Sequence, residues 1–547
     1  MNRVSKVIFA AIFVICSAGY CSASDIYVAQ SSAGGNTGAD CADARALSTL
    51  ASSDWVAGNT IHLCGTITFP AGSAGLVAQG SGTSGSPIIV QFETNAILEA
   101  PYFGGGGSCG SPSSCKAGIE LYGYNYIIVD GGTNGIVENT ANGSDLGNQQ
   151  TSAGVAVYGN NIIVRNLTVE NIYINDPTTL DEAGVATVDV VAAPGTANFI
   201  LCNNTLRSAR AAVTSAGLGA TAPVYPLPSC SSNTFLSGQN YFGNMLYDLV
   251  WGFQFDPSVS SSATYNVFNN DVNLGTNWVL SNNFYHTDGI IAYDSGSAGQ
   301  VIIYVFNNYF HGVFSGTGQV FCEDNGGTTG CSAYIFNNLF VQDASAPAGN
   351  NRPLWLLTTP SPNTDGPDYV YNNTFVGYAY EAMLGPDSGP IITFENNLTT
   401  TGATNLFYVK GYGTNLLPTI ISTSDYNGFY GGAGKSFKGG GQTFWCWPQN
   451  GGSPSSCTGG NGPWVNTGFD THSVSANPNL NASYQLSSGS PDIGAGANLS
   501  SRCGTPGLGP LCYDKNGIAR PSTGAWDIGT YEAPRPNPPV GLAGTVK

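Results

Sequence analysis

Short apolar runs recur along this chain, and most of them end in asparagine. They read YIIVDG at 126–131, NIIVRNLTV at 161–169, FILCNNTL at 199–206 and YNVFNNDV at 265–272. They continue as IIYVFNNYF at 302–310, AYIFNNLF at 333–340, YVYNNTF at 369–375 and ITFENNL at 392–398. Runs of this length, rich in β-branched and aromatic residues, predict β-strands. The residues after each asparagine predict a second short strand beyond a bend. Asn suits that bend because it tolerates left-handed backbone angles, and stacked Asn amides can bond from coil to coil. The second Asn of successive pairs falls at 270, 308, 338, 373 and 397, in steps of 38, 30, 35 and 24 residues. Between these units lies a strand type often opened by glycine: AGIELYG at 117–123, AGVAVYG at 153–159, WGFQFDP at 251–257 and DGIIAYD at 288–294. Two or more short strands per repeat, at periods of about 20–50 residues, predict a solenoid. Hairpin signals between neighbouring strands are scarce, which disfavours a sandwich or a propeller.

Composition agrees and narrows the partners. Only 9% of the 547 residues are charged, while 42% are hydrophobic and 11% aromatic. Long charged helices lack their Lys and Glu here, and disorder lacks its deficit of apolar mass. The formal net charge of −18 repels phosphate backbones and anionic membranes, so neither nucleic acid nor membrane is an expected partner.

Arg3 and Lys6 precede an apolar run at 7–19 too short to span a bilayer, and small residues follow at Ala23 and Ser24. These are the marks of a signal peptide over 1–24, so a secreted protein, extracellular or periplasmic, is expected. Cys16 and Cys21 belong to that leader. The other twelve cysteines fall into sequential neighbours. These are Cys41 with Cys64, Cys109 with Cys115, Cys202 with Cys230, Cys322 with Cys331, Cys446 with Cys457, and Cys503 with Cys512. Local disulfides are the simple expectation in an oxidising compartment. No C-x-x-C occurs outside the leader, and Gly80, Gly82 and Gly85 run into a strand rather than a helix. Zinc, haem and nucleotide are therefore not expected.

The chain resembles the right-handed parallel β-helix superfamily, the pectate-lyase-like fold, in its secreted bacterial form. The resemblance rests on the repeats and on both ends. The opening is DIYVAQ at 25–30, AGNTIHLCG at 57–65 and GSGTSGSPIIVQF at 80–92; the close is SPDIGAG at 490–496 and DKNGIARPSTGAWDIGTYE at 514–532. It implies an all-β, single-stranded solenoid of about nine or ten coils. Residues 25–115 would form the N-terminal cap and first coils, with a short amphipathic helix at Ala44, Leu47, Leu50 and Ala51. Residues 116–430 would carry the repeats and 431–533 the disulfide-bearing C-terminal coils and cap. The Pro-rich 534–547 reads as a tail.

Alternation on the glycine-opened strands marks the candidate site. With Phe253 and Phe255 inward, Gln254 and Asp256 face out. With Ile290 and Ala292 inward, Ile291 and Tyr293 face out, and Asp294 ends the strand. With Val320 and Cys322 inward, Phe321 and Glu323 face out, beside Asp324. Later coils bring Trp355, then Tyr408 and Lys410. Strands of adjacent coils stack about 4.8 Å apart, so these residues would form a ladder on one face. His286 and Asp288 lie just ahead of it, whereas His62 reads as structural.

Carboxylates beside aromatic faces suit a sugar chain, whose rings stack and whose hydroxyls hydrogen-bond. Tyr293, Phe321, Trp355 and Tyr408 are the candidate platforms. The plain alternative is a row of solvated strand ends and loop-packed rings. A glycoside hydrolase would use two carboxyls of the set Asp256, Asp288, Asp294 and Glu323. A lyase would hold Ca²⁺ on Asp288, Asp294, Glu323 and Asp324, neutralising a uronate and acidifying its C5 proton. Arg352 or Lys410 would take that proton, as in the lyases of the superfamily, and His286 completes the set. The reading leans to an enzyme: a secreted monomer that binds and cleaves a polysaccharide, lyase slightly ahead of hydrolase on the resemblance. The competing class is a non-catalytic adhesin or surface-structure protein.

Overall fold

The computed structural model describes residues 23–534, apart from 105–115, 143–149, 174–186, 258–261, 275–286, 295–299, 315–317, 325–329, 344–351, 359–366, 379, 385–391, 401–404, 410–416, 431–435, 440–441, 449–451, 454, 456 and 458–460. Within each asparagine pair the two residues do different work. The first takes the left-handed bend, at φ 55° for Asn203 and Asn269 and 57° for Asn307. The second is buried and bonds along the axis. Asn270 Nδ2 donates to Asn308 Oδ1, and Asn308 Nδ2 to Asn338 Oδ1, each at 3.0 Å. Each amide also donates to a backbone carbonyl and accepts a backbone N–H of the preceding coil. The ladder runs from Asn204 through Asn244, Asn270, Asn308, Asn338, Asn373 and Asn397 to Asn427. Gly243 and Tyr426 supply the bend where the pair is incomplete.

With the bends fixed, each coil lays strands on three parallel ladders. The first sheet runs from Leu76–Val77 through Ser152–Tyr158 and Asp288–Asp294 to Ser436–Gly439. The second has thirteen strands among the described residues, from Asp25–Ala29 to Ile421–Asp425. The third follows the asparagine bend, from Thr66–Thr68 to Gly428–Tyr430. The protein is a right-handed parallel β-helix. Thirteen rungs exceed the nine or ten expected because the early coils lack the Asn pair. There the chain bends inside single long strands, Ile127–Asn139 and Asn160–Glu170.

The ends differ from expectation. Instead of a capping helix over 44–51, two short 3₁₀ turns form, Cys41–Asp43 and Leu47–Thr49. The Asp40 side chain accepts the Asp43 N–H, and Arg45 holds the Thr49 carbonyl at 2.9 Å and Asp54 at 3.0 Å, which fixes the turns before a helix can propagate. Leu47 and Leu50 still pack against the core. At the other end Trp447 and Trp464 plug the core beside Phe407 and Phe429. Past Val474 no coil is added. The chain turns back along the second sheet, where Leu499, Leu508, Leu511 and Trp526 cover the stacked rings of Phe242, Phe268, Phe306 and Phe336. Arg520 donates to Asn337 Oδ1 at 2.9 Å, and Lys515 to the Asn307 carbonyl.

Five disulfides join expected neighbours among the described residues. Cys41 is bonded to Cys64, Cys202 to Cys230, Cys322 to Cys331, Cys446 to Cys457, and Cys503 to Cys512. The sixth expected pair, Cys109 and Cys115, lies outside the described residues. The bridges differ in what they pin. Cys64 and Cys230 are buried, and the Cys202 bridge holds the loop that follows Thr205–Ser215 against the second sheet. Cys331 and Cys322 are both core residues, so that bridge ties the first sheet to the second inside one coil. Cys457 and Cys512 close short loops of the C-terminal region, with sequence separations of 11 and 9. Among the described residues no helix is long and apolar enough to cross a membrane.

The asparagine pairs and one buried acid can each be tested through stability. Asn308→Ala strands donors and acceptors in two neighbouring coils and is expected to cost about 2–4 kcal/mol in denaturant unfolding. Asn203→Gly keeps the left-handed bend and should stay within about 1 kcal/mol of the parent; equal effects would refute the division of labour within the pair. In the returning strap the Asp492 carboxyl is buried with neither oxygen bonded, and burial, then repulsion from Asp527, pushes its pKa up to about 7. It is protonated in the folded chain while an unfolded chain has already ionised near pH 4. Stability is therefore lost as pH rises from about 4 to 7, and Asp492→Asn should raise the melting temperature at pH 7–8 but not at pH 4.

Candidate functional site

The first sheet is positioned by its glycines. A Cβ on Gly154 would lie 2.3 Å from Val169 Cγ1, and one on Gly289 would lie 2.9 Å from the Phe310 ring. Only glycine lets the chain turn so closely from the third sheet into the first. Beyond that corner the alternation is as expected: Phe253, Phe255, Ile290, Ala292, Val320 and Cys322 are in the core. Strand register then lines up two outward rows. One runs from Glu120 through Thr214 and Gln254 to Ile291, Phe321 and Trp355. The other begins with Tyr122 and Tyr158 and continues over two coils of alanine; farther along the sheet Tyr293 stands opposite Glu323.

Several expected site residues sit elsewhere than on an open face. Phe321 and Trp355 point away from the core but are only 5% and 6% exposed. Their rings pack at 5.6 Å, with Ile291 and Trp251 in the same cluster, and so are not open sugar platforms. The Arg352 guanidinium lies buried 4.8 Å above the Trp355 ring, which removes it from the open face as a base. Asp288 is 1% exposed, stands opposite Trp251 at the corner, and accepts the Gly318 N–H at 2.7 Å. It is held by backbone rather than offered to a ligand.

His286 and Lys410 lie outside the described residues, as do the side chains of Tyr293, Asp294, Glu323, Asp324 and Tyr408. Their strands are described, and register sets Tyr293 opposite Glu323, Asp294 opposite Asp324, and Tyr408 opposite Met383. Asp256, Tyr293 and Glu323 thus share one row while Asp288 does not. Of the four expected Ca²⁺ ligands, Asp288 is withdrawn from the surface, and the side chains of Asp294, Glu323 and Asp324 lie outside the described residues. Among the described residues no three His, Cys, Asp or Glu side chains are grouped to hold a metal. His62 is structural, bonded to Glu93 at 2.6 Å and stacked on Tyr27.

Two features were not foreseen. Glu120 is a carboxyl on the outward row of the first sheet, 6% exposed, with Oε1 unbonded. Burial pushes its pKa up to about 7. Its signal was the lone acid between inward Ile119 and Leu121. The other is a charge stack on the third sheet, with Glu99, Glu138 and Glu170 in register and Arg207 in the next coil. Arg207 Nε donates to Glu170 Oε2 at 2.5 Å. Burial, then the Glu170 charge, raises the Glu138 pKa. Glutamate recurring in ILEA, IVEN and LTVE was its signal.

Neither a protein-family model nor a curated protein matches the chain. Among solved structures, pectate lyase Pel9A is similar over 93% of this chain and 96% of its own, at 15% identity and a TM-score of 0.42. A GH136 lacto-N-biosidase from Eubacterium ramulus is similar over 71% of this chain and 64% of its own, at 13% identity and a TM-score of 0.33. A mannuronic acid specific polysaccharide family 6 lyase from human gut microbiota is similar over 79% and 88%, at 10% identity and a TM-score of 0.34.

The geometry separates structural from surface acids. Asp288→Ala should lower stability by about 2 kcal/mol, because the Gly318 N–H loses its buried acceptor. Asp256→Asn, at a half-exposed strand end, should change it by less than about 0.5 kcal/mol. Thermal melts of both variants check the distinction.

Proposed function

We propose that the chain is an exported protein that holds a linear polysaccharide along the outer face of its first sheet and cleaves it. The observation that carries this reading is a pair of coil-to-coil matches on one sheet, Tyr122 beside Tyr158 and, farther along the axis, Tyr293 beside Glu323. Aromatic and carboxylate positions spaced along one sheet, parallel to the axis, suit an extended sugar polymer better than a compact ligand. Five disulfides among the described residues support an oxidising compartment.

Elimination is placed ahead of hydrolysis on chemical economy. Hydrolysis needs two carboxyls about 5–9.5 Å apart across one bond. Of the first-sheet acids with described side chains, Asp189 and Asp288 are fully buried, and the other two, Asp256 and Glu120, stand four coils apart, about 19 Å at the usual strand spacing. Elimination needs one base and a neutralised uronate. Asp294, Glu323 and Asp324 are the carboxylates left for Ca²⁺, which enters this reading as a condition of the assay.

The test is a panel of uronate and neutral glycans, each with Ca²⁺ and with chelator. Ultraviolet absorbance from an unsaturated uronate product means elimination, and new reducing ends without it mean hydrolysis. Neither signal across the panel would favour a binding protein or adhesin. Glu323→Gln is expected to abolish product formation with little change in melting temperature. Full activity in that variant removes Glu323 from the mechanism, and unfolding makes its role structural.

A further inference from the structure

We propose that the outer face of the second sheet carries a binding site for a small neutral phenol, in a cavity between Ile200, Phe242 and the 228–236 loop. The site is not on the first sheet and stands independently of the polysaccharide reading.

The cavity measures about 130 Å³, and its floor is the second sheet itself. Ile163 and Ile200 are register partners in adjacent coils, as are Cys202 and Phe242, and all four are buried. Phe242 is the first ring of the phenylalanine row and stacks on Phe268 in the next coil. In the preceding coil its partner is Cys202, bridged to Cys230, and both cysteines line the cavity with the ring. The loop supplies the mouth, where Ser229 and Thr234 are exposed and Ser232 is half-exposed.

The loop is fastened on several sides, which resists its collapse into the cavity. The Cys202–Cys230 bridge ties it to the sheet. Arg165 donates to the Cys230 and Ser232 carbonyls at 3.1 Å each, while its Nε is held by Asp130 at 2.6 Å. Farther along, Phe235 packs edge-on against Tyr126 at 5.5 Å, and Asn240 donates to the Ser237 carbonyl at 3.1 Å. Apolar volume that its walls cannot close over is destabilising, and a ligand of matching shape relieves it.

Size and chemistry select the ligand. An apolar cavity of about 150 Å³ lined by Leu, Ile and Phe takes one benzene ring, so this one suits a single ring. Among the described residues lining it none is ionisable, and the adjacent Arg165 already holds Asp130 and two carbonyls. A charged ring would be desolvated without a partner. Phe242 offers an aromatic contact and the disulfide a polarisable one. The hydroxyls at the mouth suit one hydroxyl on the ring. A phenol has both parts. A pyranose would bury its several hydroxyls unbonded against Ile163 and Ile200.

Crystals of the full chain soaked in para-bromophenol locate the ligand through anomalous scattering from bromine. The bromine is expected between Ile200 and Phe242; bromine only elsewhere, or none, overturns the site. In solution at about pH 7, where a phenol is neutral, phenol should raise the melting temperature of the parent to a plateau. Absence of that rise overturns the proposal. Benzoate and glucose should give none: an equal rise with benzoate overturns the requirement for neutrality, and one with glucose the requirement for an aromatic ring. Ile200→Phe supplies a ring from the floor, so affinity for phenol should fall at least about tenfold. Undiminished binding in that variant overturns the assignment to this cavity, and if it fails to fold the bromine position in the parent decides. Thr234→Val, an exposed change, should weaken phenol roughly threefold and leave toluene unaffected; equal loss of both overturns the part given to the hydroxyls.

Discussion

The buried asparagine ladder is the constraint on which the rest of this molecule depends. A parallel solenoid has no hairpins to set its register, so something inside each coil must fix where the next begins. Each ladder amide donates both forward to the next amide and to a carbonyl, and accepts a backbone N–H, so a strongly polar group is satisfied at a fully buried bend. The direction of donation runs toward the C-terminus, and the last amide needs an acceptor with nothing left to give. Asp470 supplies it. Its carboxylate accepts from Asn427, Ser424, Ser473 and the Trp464 indole, and burial raises its pKa against those bonds.

Because the ladder fixes register, it also fixes what lies on the outside. One aromatic per coil at the same strand position becomes the Phe242–Phe268–Phe306–Phe336 stack on the second sheet, with centroids 4.8–4.9 Å apart. Such a surface cannot stay in water, and the C-terminal strap covers it with Trp526 and three leucines. The same register places Ile291, Phe321 and Trp355 together on the first sheet. The burial of those rings is thus a consequence of repetition, not of any single residue.

This explains what was legible in the sequence. Strand, bend and inward parity could be read from the Asn pairs and the alternation, since each is a local rule. Cysteine partners such as Cys64 for Cys41 and Cys331 for Cys322 could be read for the same reason, being nearest neighbours along the chain. The coil count could not, because the Gly132 and Asn166 bends hide inside strands that look continuous. Nor could the strap, because an apolar residue under another segment has the same pattern as one in the core. Asp288 was placed on an open face for a related reason: alternation tells inside from outside only within a regular strand, and Asp288 stands at a corner opposite Trp251. Glu120 was passed over because a single carboxylate carries no repeat, although its position between two core residues already aimed it outward.

Charge, so sparse here, decides which faces an anion can approach. On the third sheet three glutamates follow one another in register and a single arginine answers them, already committed to Glu170. Directly opposed like charges are unfavourable, and the Glu138 carboxyl responds by holding its proton to higher pH. That face repels a polyanion laid along it at low ionic strength, and added salt weakens the repulsion. The first sheet differs in kind. Its outward positions between Glu120 and Gln254 are alanine, valine and threonine, its Glu120 carboxyl is protonated more readily than a surface acid, and Arg210 lies 4.9 Å above the Trp251 ring at its edge. In a chain of net charge −18, the first sheet therefore opposes an acidic polymer less at close range than the third does.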